Sequence, residues 1–183
     1  MLLKILYLDC LFKSNMAGKD LLIKAIENLK INFKIITHPE VFTVEAMMPY
    51  LNEVDGLVCK NLFVKDKKKK QLWLVTTKHD QKVSLSWLSK HMKLGSMRFA
   101  AEDVLKEKLN VAKGCVTPLA LFFDKECEVN FILDQSLTLN TDTFIYSHPM
   151  VNDASIGMAY SDLKLFIEST QHKINVVDFT DCN

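Results

Sequence analysis

Two apolar runs that flank a charged block constrain the fold more than any other feature of this 183-residue chain. The runs are Gly56–Val64 (GLVCKNLFV) and Gln71–Thr77 (QLWLVTT), and the block between them is Asp66–Lys70. Short apolar runs of this kind indicate strands, and the brief polar connection indicates a β-hairpin. The fold therefore has to accommodate a β-sheet with at least one antiparallel pair of strands.

The remaining segments alternate between helical and strand-like patterns. Helices are predicted directly after the cap residue Thr43 and at Asp20–Lys30, Ser84–Met92, Ala100–Leu109 and Ser161–Ser169. Further strands are predicted at Phe33–Thr37, Leu119–Phe123, Glu128–Asp134, Thr143–Tyr146, Ala154–Ala159 and Asn175–Phe179. Because hairpins and helical crossovers occur together without a regular repeat, we predict an α+β fold: a single compact domain with a mixed, partly barrel-like β-sheet surrounded by helices.

Composition limits the classes of protein to consider. The chain is 49% apolar and 25% charged with a net charge of +1, an ordinary balance for a globular protein. Binding to a nucleic acid would therefore require a local basic patch. The five cysteines are an odd number and form no Cys-x-x-Cys pair. This usage predicts reduced thiols in a cytoplasmic protein rather than a disulfide framework or a zinc ribbon.

The amino-terminal segment, MLLKILYLDCLF, is the only one that resembles a targeting signal. Lys4 and Asp9 interrupt it, and no small-residue cleavage site follows. No stretch approaches the roughly 20 apolar residues that a membrane-spanning helix needs. We therefore predict a soluble protein without a membrane partner, whose first residues form a buried strand or helix.

The absence of several motifs weighs against several chemistries. The five glycines lie too far apart for a Gly-x-Gly-x-x-Gly or Walker loop. Neither His-Glu-x-x-His nor Gly-x-Ser-x-Gly occurs in the sequence. Nucleotide-dependent phosphoryl transfer, hydride transfer, zinc-protease chemistry and the α/β-hydrolase triad therefore lose support.

Lys60 and Asn61 stand out because they interrupt an apolar strand. Neighbouring side chains point to opposite faces of a strand, and burying a lysine costs desolvation unless it meets a cleft or an anion. Lys60 either faces such a site or lies on an edge strand in solvent. The lysine run Lys67–Lys70 is similarly open to two interpretations, a phosphate-binding patch or a solvated hairpin tip.

Two loops also carry polar groups that could bind a ligand. In Gly114–Pro118, glycine permits close approach of a ligand to the backbone and proline stiffens the exit, although a plain connection has the same composition. The loop His148–Asp153 holds an imidazole, a carboxamide and a carboxylate. It could supply a general base or bind substrate, or its Asn152 and Asp153 could bond their own backbone.

These segments, in this order, resemble the YbaK-like, prolyl-tRNA-synthetase-associated editing family. The resemblance runs from about His38 to Phe179 and is carried by HPEVFTVEA, CKNLFVKDKKKKQLWLV, MRFAAEDVLKEKL, GCVTPLAL and SHPMVNDAS. The K-N-L-F and F-T-V-E-A segments are most similar to the stand-alone branch that acts on alanyl esters. The resemblance divides the chain into residues 1–30, an extension packed on the domain, and residues 31–183, the editing domain.

The resemblance implies a deacylase that hydrolyses alanine from mischarged proline tRNA. A synthetase cannot firmly exclude a side chain smaller than its own substrate, since a methylene is worth only about 1–3 kcal/mol, and a second hydrolytic site corrects the error. The implied partners are the acceptor end of tRNA(Pro) and prolyl-tRNA synthetase, with no metal and no cofactor. Lys60 and Gly114 are the implied catalytic residues, and the implied substrate-binding residues are Phe42, Thr43, Asn61, Cys115, Val116, Thr117, Pro118, His148, Asn152 and Asp153.

One departure from the family pattern leaves open which amino acid the protein removes from the tRNA. Asp153 stands where the family usually has threonine. An added carboxylate could hold the α-ammonium group of the substrate or face solvent. Cys-tRNA(Pro) and other small aminoacyl-tRNAs therefore remain alternative substrates, and a non-catalytic module that binds tRNA or a synthetase remains an alternative function.

Overall fold

The fold is described by a computed structural model that covers residues 18–182. Within this range the α-helices are α1 (Gly18–Asn28), α2 (Val44–Met47), α3 (Leu85–His91), α4 (Glu102–Leu109) and α5 (Tyr160–Ser169). The strands are β1 (Phe33–Thr37), β2 (Leu57–Asp66), β3 (Leu72–Lys78), β4 (Met97–Phe99), β5 (Val129–Asp134), β6 (Phe144–Ser147), β7 (Ala154–Ala159) and β8 (Ile174–Val177). Short 3₁₀ helices occupy Met48–Tyr50, Pro118–Phe123 and Gln135–Leu137.

All eight strands join one mixed sheet, which confirms the α+β prediction. Its order is β1-β7-β6-β2-β3-β5-β8, with β4 added to β2. The predicted hairpin is present as the antiparallel pair β2–β3, while β6 pairs with β2 in parallel. Within the described range β1 and β8 do not pair, so the sheet is not closed into a barrel, and the barrel-like part of the prediction is corrected.

Strand β2 has a gap along one edge. Its β3 edge is paired from Cys59 to Lys65, so β6 and β4 must share the other edge. There β6 pairs with Leu57 and Val58, and β4 pairs with residues 64–66. No strand of the described chain covers residues 59–63 on that edge. The sheet therefore presents a short length of backbone that its own strands leave uncovered.

Helix α1 confirms the predicted helix near the amino terminus. Its residues Leu21, Leu22, Ala25 and Ile26 are buried in the main core. The predicted buried strand or helix at the very start of the chain falls outside the described residues. Among residues 18–182, no helix is long and apolar enough to cross a membrane.

The segment predicted as a strand at Leu119–Phe123 is instead the 3₁₀ helix Pro118–Phe123. Its start follows helix rules: Thr117 Oγ1 accepts a hydrogen bond from the Leu119 N–H at 3.3 Å, and Pro118 occupies the first helical position. A short buried apolar run fits a helical turn as well as a strand, so periodicity alone could not separate them.

A buried carboxylate fastens the end of this 3₁₀ helix to the rest of the domain. Asp124 Oδ2 lies 3.0 Å from His172 Nε2 and accepts the Val129 N–H at 2.7 Å, while Oδ1 accepts the Glu128 N–H at 3.1 Å. Burial raises the pKa of Asp124, but these hydrogen bonds outweigh it and hold the pKa below its usual value. The ionised carboxylate is therefore stabilised in the folded state.

We expect Asp124→Asn to lower the free energy of unfolding by about 2 kcal/mol at pH 7, because charge-assisted bonds are lost in a buried place. The contribution of a carboxyl with a lowered folded pKa is present above its unfolded pKa of about 3.9 and is lost as pH falls through the folded value. The difference between wild type and variant should therefore shrink below about pH 4. Urea unfolding at a series of pH values measures it. Exposed Glu126→Gln is the matched control, and a pH-independent difference would contradict the assignment.

Candidate functional site

A cleft of about 640 Å³ opens at the gap in β2. Helix α2, the start of α4 and the loop around Gly114 form its other walls. Seven of the residues predicted from the sequence line it: Phe42, Thr43, Lys60, Asn61, Gly114, Val116 and His148. The fold thus brings together residues from four separate segments of the chain.

Lys60 is half-buried on β2. Its Nζ donates a hydrogen bond to the Gln81 carbonyl oxygen. Burial lowers the pKa of Lys60, while the negative charges of Asp80 and Glu45 oppose the shift. The lysine is therefore held by a neutral acceptor, and it has no salt bridge within 4.0 Å to the described residues.

Asn61 is fixed by the next strand. Its Oδ1 accepts a hydrogen bond from Thr76 Oγ1 at 2.7 Å, across the β2–β3 register. Since this bond fixes the oxygen, it also fixes which way the amide nitrogen points. That nitrogen makes no hydrogen bond to the described residues and remains free to donate to a ligand.

The backbone of Asn61 also faces the cleft. Val58 O accepts from the His79 N–H on the β3 side at 2.9 Å, whereas Phe63 O accepts from the Ala100 N–H on the opposite side at 3.0 Å. Backbone polar groups alternate between the two edges of a strand, so the N–H and C=O of Asn61 point the same way as those of Phe63. One donor and one acceptor are therefore presented within the gap.

Gly114 holds a conformation that suits glycine. Its φ is +84°, in the left-handed region, and a Cβ placed there would lie 3.3 Å from Phe42 Cδ1. Phe42 is 68% exposed and forms the opposite wall at this point. With no Cβ at this position, the backbone of Gly114 packs directly against Phe42 in the lining of the cleft.

His148 is a neutral acceptor oriented by the backbone. Its Nδ1 lies 3.1 Å from the Ala154 carbonyl oxygen, which can only accept, so Nδ1 carries the proton. Burial lowers the pKa of His148, the hydrogen bond to Ala154 raises it, and the nearby His38 lowers it further. Nε2 is therefore left with a lone pair.

The two cysteines nearest the cleft are poor nucleophiles. Burial raises the pKa of the Cys59 thiol far above its usual value, and burial also raises that of Cys115. Because the thiolate is the reactive form, neither favours covalent catalysis. In the part of the chain that is described, no three His, Cys, Asp or Glu side chains cluster as metal ligands would.

Five predicted residues do not line the cleft: Cys115, Thr117, Pro118, Asn152 and Asp153. Thr117 is fully buried, and its hydroxyl lies 3.3 Å from Ser147 Oγ. The Asn152 and Asp153 carbonyl oxygens accept hydrogen bonds from the Val41 N–H at 2.9 Å and the His38 N–H at 3.0 Å. Asn152 and Asp153 therefore tie this loop to residues 38–41 through the backbone, and binding of substrate by the side chains of all five residues remains a prediction.

The cleft also contains residues that the sequence did not single out. Among them, Phe99 on β4 is an exposed aromatic ring (63%), and the exposed side chains of Glu102 and Lys113 form a salt bridge at 3.3 Å. The others are Val44, Met47, Cys59, Leu62, Phe63, Ala100 and Leu105. Lys113 precedes Gly114 in the chain and could have been inferred from that neighbour, whereas Phe99 arrives through a strand pairing that leaves no local signal.

Comparison with known proteins confirms the family resemblance. The aminoacyl-tRNA editing domain model matches residues 38–166. A prolyl-tRNA synthetase associated domain-containing protein 1 of Danio rerio is 46% identical over 154 residues, covering 84% of this chain and 83% of that protein. The prolyl-tRNA editing protein ProX of Acetoanaerobium sticklandii is 30% identical over 164 residues, covering 90% and 99%.

The fold has also been seen before. The crystal structure of a candidate trans-editing enzyme for prolyl tRNA synthetase superposes with a TM-score of 0.67 at 16% identity, covering 90% of this chain and 99% of that one. At this level of identity the match supports the fold alone.

Proposed function

Because this chain belongs to the aminoacyl-tRNA editing domain family, we propose that it is a trans-acting deacylase that hydrolyses Ala-tRNA(Pro) at the ester of the 3′-terminal adenosine. The observation that carries the proposal is the convergence of Lys60, the amide of Asn61 and the backbone of Gly114 on one cleft. ProX, a relative that matches over 90% of this chain, is by its name an editing protein.

In the proposed reaction the residues supply charge and position rather than a covalent intermediate. Lys60 binds the terminal phosphate or the ester region as a compact positive charge. The backbone around Gly114 orients the attacking water or ribose hydroxyl, and Nε2 of His148 accepts a hydrogen bond from it. An activated ester requires little more than positioning and stabilisation of the developing oxyanion.

Discrimination between amino acids rests on the apolar part of the cleft. Val116 is the side chain of the Gly114 loop that reaches it, and Met47, Phe63 and Leu105 lie in the same lining. A wall of this type admits alanine and rejects a larger ring by steric exclusion. Thr117 is buried behind the wall, so we expect it to affect selectivity less than Val116.

We expect Val116→Ala to increase kcat/KM for Pro-tRNA(Pro) about tenfold relative to Ala-tRNA(Pro), since removal of two methyl groups relieves the clash with a larger aminoacyl group. The ratio of the two hydrolysis rates measures the effect. Val176→Ala, on the far strand β8, is the matched control. An unchanged ratio in a folded Val116→Ala protein would show that this loop is not the filter.

The deciding experiment for the function is release of labelled amino acid from Ala-, Cys-, Ser- and Pro-tRNA(Pro). We expect rapid loss of alanine while Pro-tRNA(Pro) is spared. Preferential loss of cysteine or serine would support deacylase activity but assign it to a different amino acid. Binding of tRNA without release of amino acid from any of the four substrates would contradict the proposal and favour a non-catalytic module.

A further inference from the structure

We propose that the β2–β3 hairpin tip and strand β4 form a phosphate-binding surface for the double-stranded part of the tRNA acceptor arm. We call this surface the basic track, and its residues are Lys65, Lys67, Lys68, Lys69, Lys70 and Arg98. The proposal rests on the proposed function, because it extends the site that receives the 3′ end of the tRNA to the body of the same molecule.

The first observation is a pair of like charges in register. Lys65 on β2 is directly opposite Arg98 on β4, the only arginine in the chain. Side chains at paired positions share a face and lie about 5 Å apart at Cβ, so two positive charges there repel each other. Such a pair costs stability in the free protein, and a bound phosphate between them removes the cost.

The second observation is that a buried carboxylate fixes the backbone of the lysine turn. Asp66 is fully buried, and its two carboxylate oxygens accept the Lys68 N–H at 2.8 Å and the Lys69 N–H at 3.2 Å. The Lys67 N–H donates to Ser96 O at 3.0 Å, which ties the turn to the chain that leads into β4. A fixed backbone defines where the exposed side chains begin, and the turn loses less entropy when it binds.

The third observation is that these charges are not neutralised by the protein. Among residues 18–182, no carboxylate oxygen lies within 4.0 Å of the charged nitrogen atoms of these six side chains, and the buried Asp66 carboxylate bonds backbone N–H groups instead. The chain as a whole carries a net charge of only +1. The hairpin tip is therefore a local concentration of positive charge on a nearly neutral protein, as expected for a surface that binds phosphates.

The fourth observation is continuity with the cleft. Phe99, at the end of β4, lies in the lining of the cleft. From there β4 runs back through Arg98 to Met97, which pairs with Asp66 next to the hairpin tip. From Asn61 to Asp66, the residue before the lysine run, strand β2 covers roughly 16 Å at about 3.3 Å per residue. A ligand that occupies both the cleft and the basic track must be long and carry several phosphates. An RNA whose 3′ end lies in the cleft meets this requirement.

The test compares Lys65→Gln/Arg98→Gln with a control that removes two exposed charges elsewhere, Lys164→Gln/Lys173→Gln. The probe is labelled, uncharged tRNA(Pro), with affinity measured by fluorescence anisotropy at several salt concentrations. We expect the Kd of the track variant to rise roughly tenfold and the slope of log affinity against log salt to fall by about 1–2. Its Tm should be unchanged or higher, since a repulsion has been removed.

A second variant and a second substrate separate binding from folding and from chemistry. Lys68→Gln/Lys69→Gln keeps both backbone N–H bonds to Asp66 and should weaken tRNA binding similarly. With either variant kcat/KM should fall for Ala-tRNA(Pro) and stay unchanged for 3′-O-alanyladenosine, which is too short to reach the track.

Two results with the track variants would overturn the proposal: a tRNA affinity no weaker than that of the control, or an equal loss of kcat/KM on the short and long substrates. Binding to phosphatidylserine vesicles is measured on the same variants. Loss of vesicle binding with tRNA binding intact would also overturn the proposal, because the basic track would then bind a membrane surface. If the wild-type protein hydrolyses neither ester, the proposed function fails instead. The anisotropy measurements then still decide whether the track binds RNA.

Discussion

Replacement of Lys60 by alanine should lower kcat/KM for Ala-tRNA(Pro) by two to three orders of magnitude while the protein stays folded. The expected size is that of removing one charged or donor group from a site preorganised for a developing negative charge, roughly 10²–10³. The fold should tolerate the change because Lys60 is half-buried and bonds only a carbonyl oxygen, with no buried carboxylate left unpaired. Single-turnover deacylation and thermal unfolding of the same preparation measure both effects.

Two controls make this result specific. Lys78→Ala removes a lysine from the neighbouring strand, where it lies 3.8 Å from Asp80 in a partly exposed pair, and should leave the rate within about twofold. Lys60→Arg retains the positive charge but changes the shape of the donor, and we expect partial activity. A folded Lys60→Ala protein with near wild-type activity would remove the lysine from the mechanism.

Substitution of Gly114 should produce the second largest effect. Alanine at this position has to adopt a strained φ of +84° and place its Cβ 3.3 Å from Phe42 Cδ1, so either the loop or the Phe42 ring has to shift by a few tenths of an ångström. The left-handed region costs a residue with a Cβ about 1–2 kcal/mol, and a displaced backbone no longer orients the nucleophile. We expect kcat/KM to fall about a hundredfold for Gly114→Ala.

Gly18→Ala is the matched control for this experiment. Its added Cβ would meet Met150 Cε at 3.4 Å, an ordinary contact, at the start of helix α1. Stability there should be equal or slightly higher, because alanine favours a helix more than glycine does. Comparable losses of activity in both variants would attribute the Gly114 effect to general damage.

Local features of this fold were predictable because they depend on neighbouring residues. Thr43 caps α2 by accepting the Ala46 N–H at 3.2 Å, and Ser84 caps α3 through the Trp87 N–H at 3.3 Å. The hairpin follows from two apolar runs around a charged turn. In each case the group that ends or begins an element lies within a few positions of it in the sequence.

Features that depend on distant partners were not predictable. Strand β4 has three residues and exists because Met97–Phe99 pairs with the end of β2. The parallel pairing of β2 with β6 joins Val58 to Tyr146, far apart in the chain. A single sequence specifies which residues favour extended backbone, but not which strand each one meets.

The same division applies to the cleft. Lys60, Gly114 and His148 could be selected because the family resemblance implies a role for each, and Lys60 also interrupts an apolar strand. Phe99 and Leu105 could not, because an apolar residue on a cleft wall has the same appearance in the sequence as one in the core. The position of Thr117 behind the wall likewise depends on a hydroxyl contact with Ser147, 30 residues away.

The gap in β2 also bears on how the protein avoids self-association. An unpaired strand edge is a template on which a second chain can add a strand and begin to aggregate. Here β6 and β4 close both ends of the gap, leaving only residues 59–63 between them. An incoming strand longer than these five residues would have to displace one of the flanking strands. The protein can therefore keep backbone donors and acceptors open to a small extended molecule, while the shortness of the gap limits the addition of a strand from a second chain.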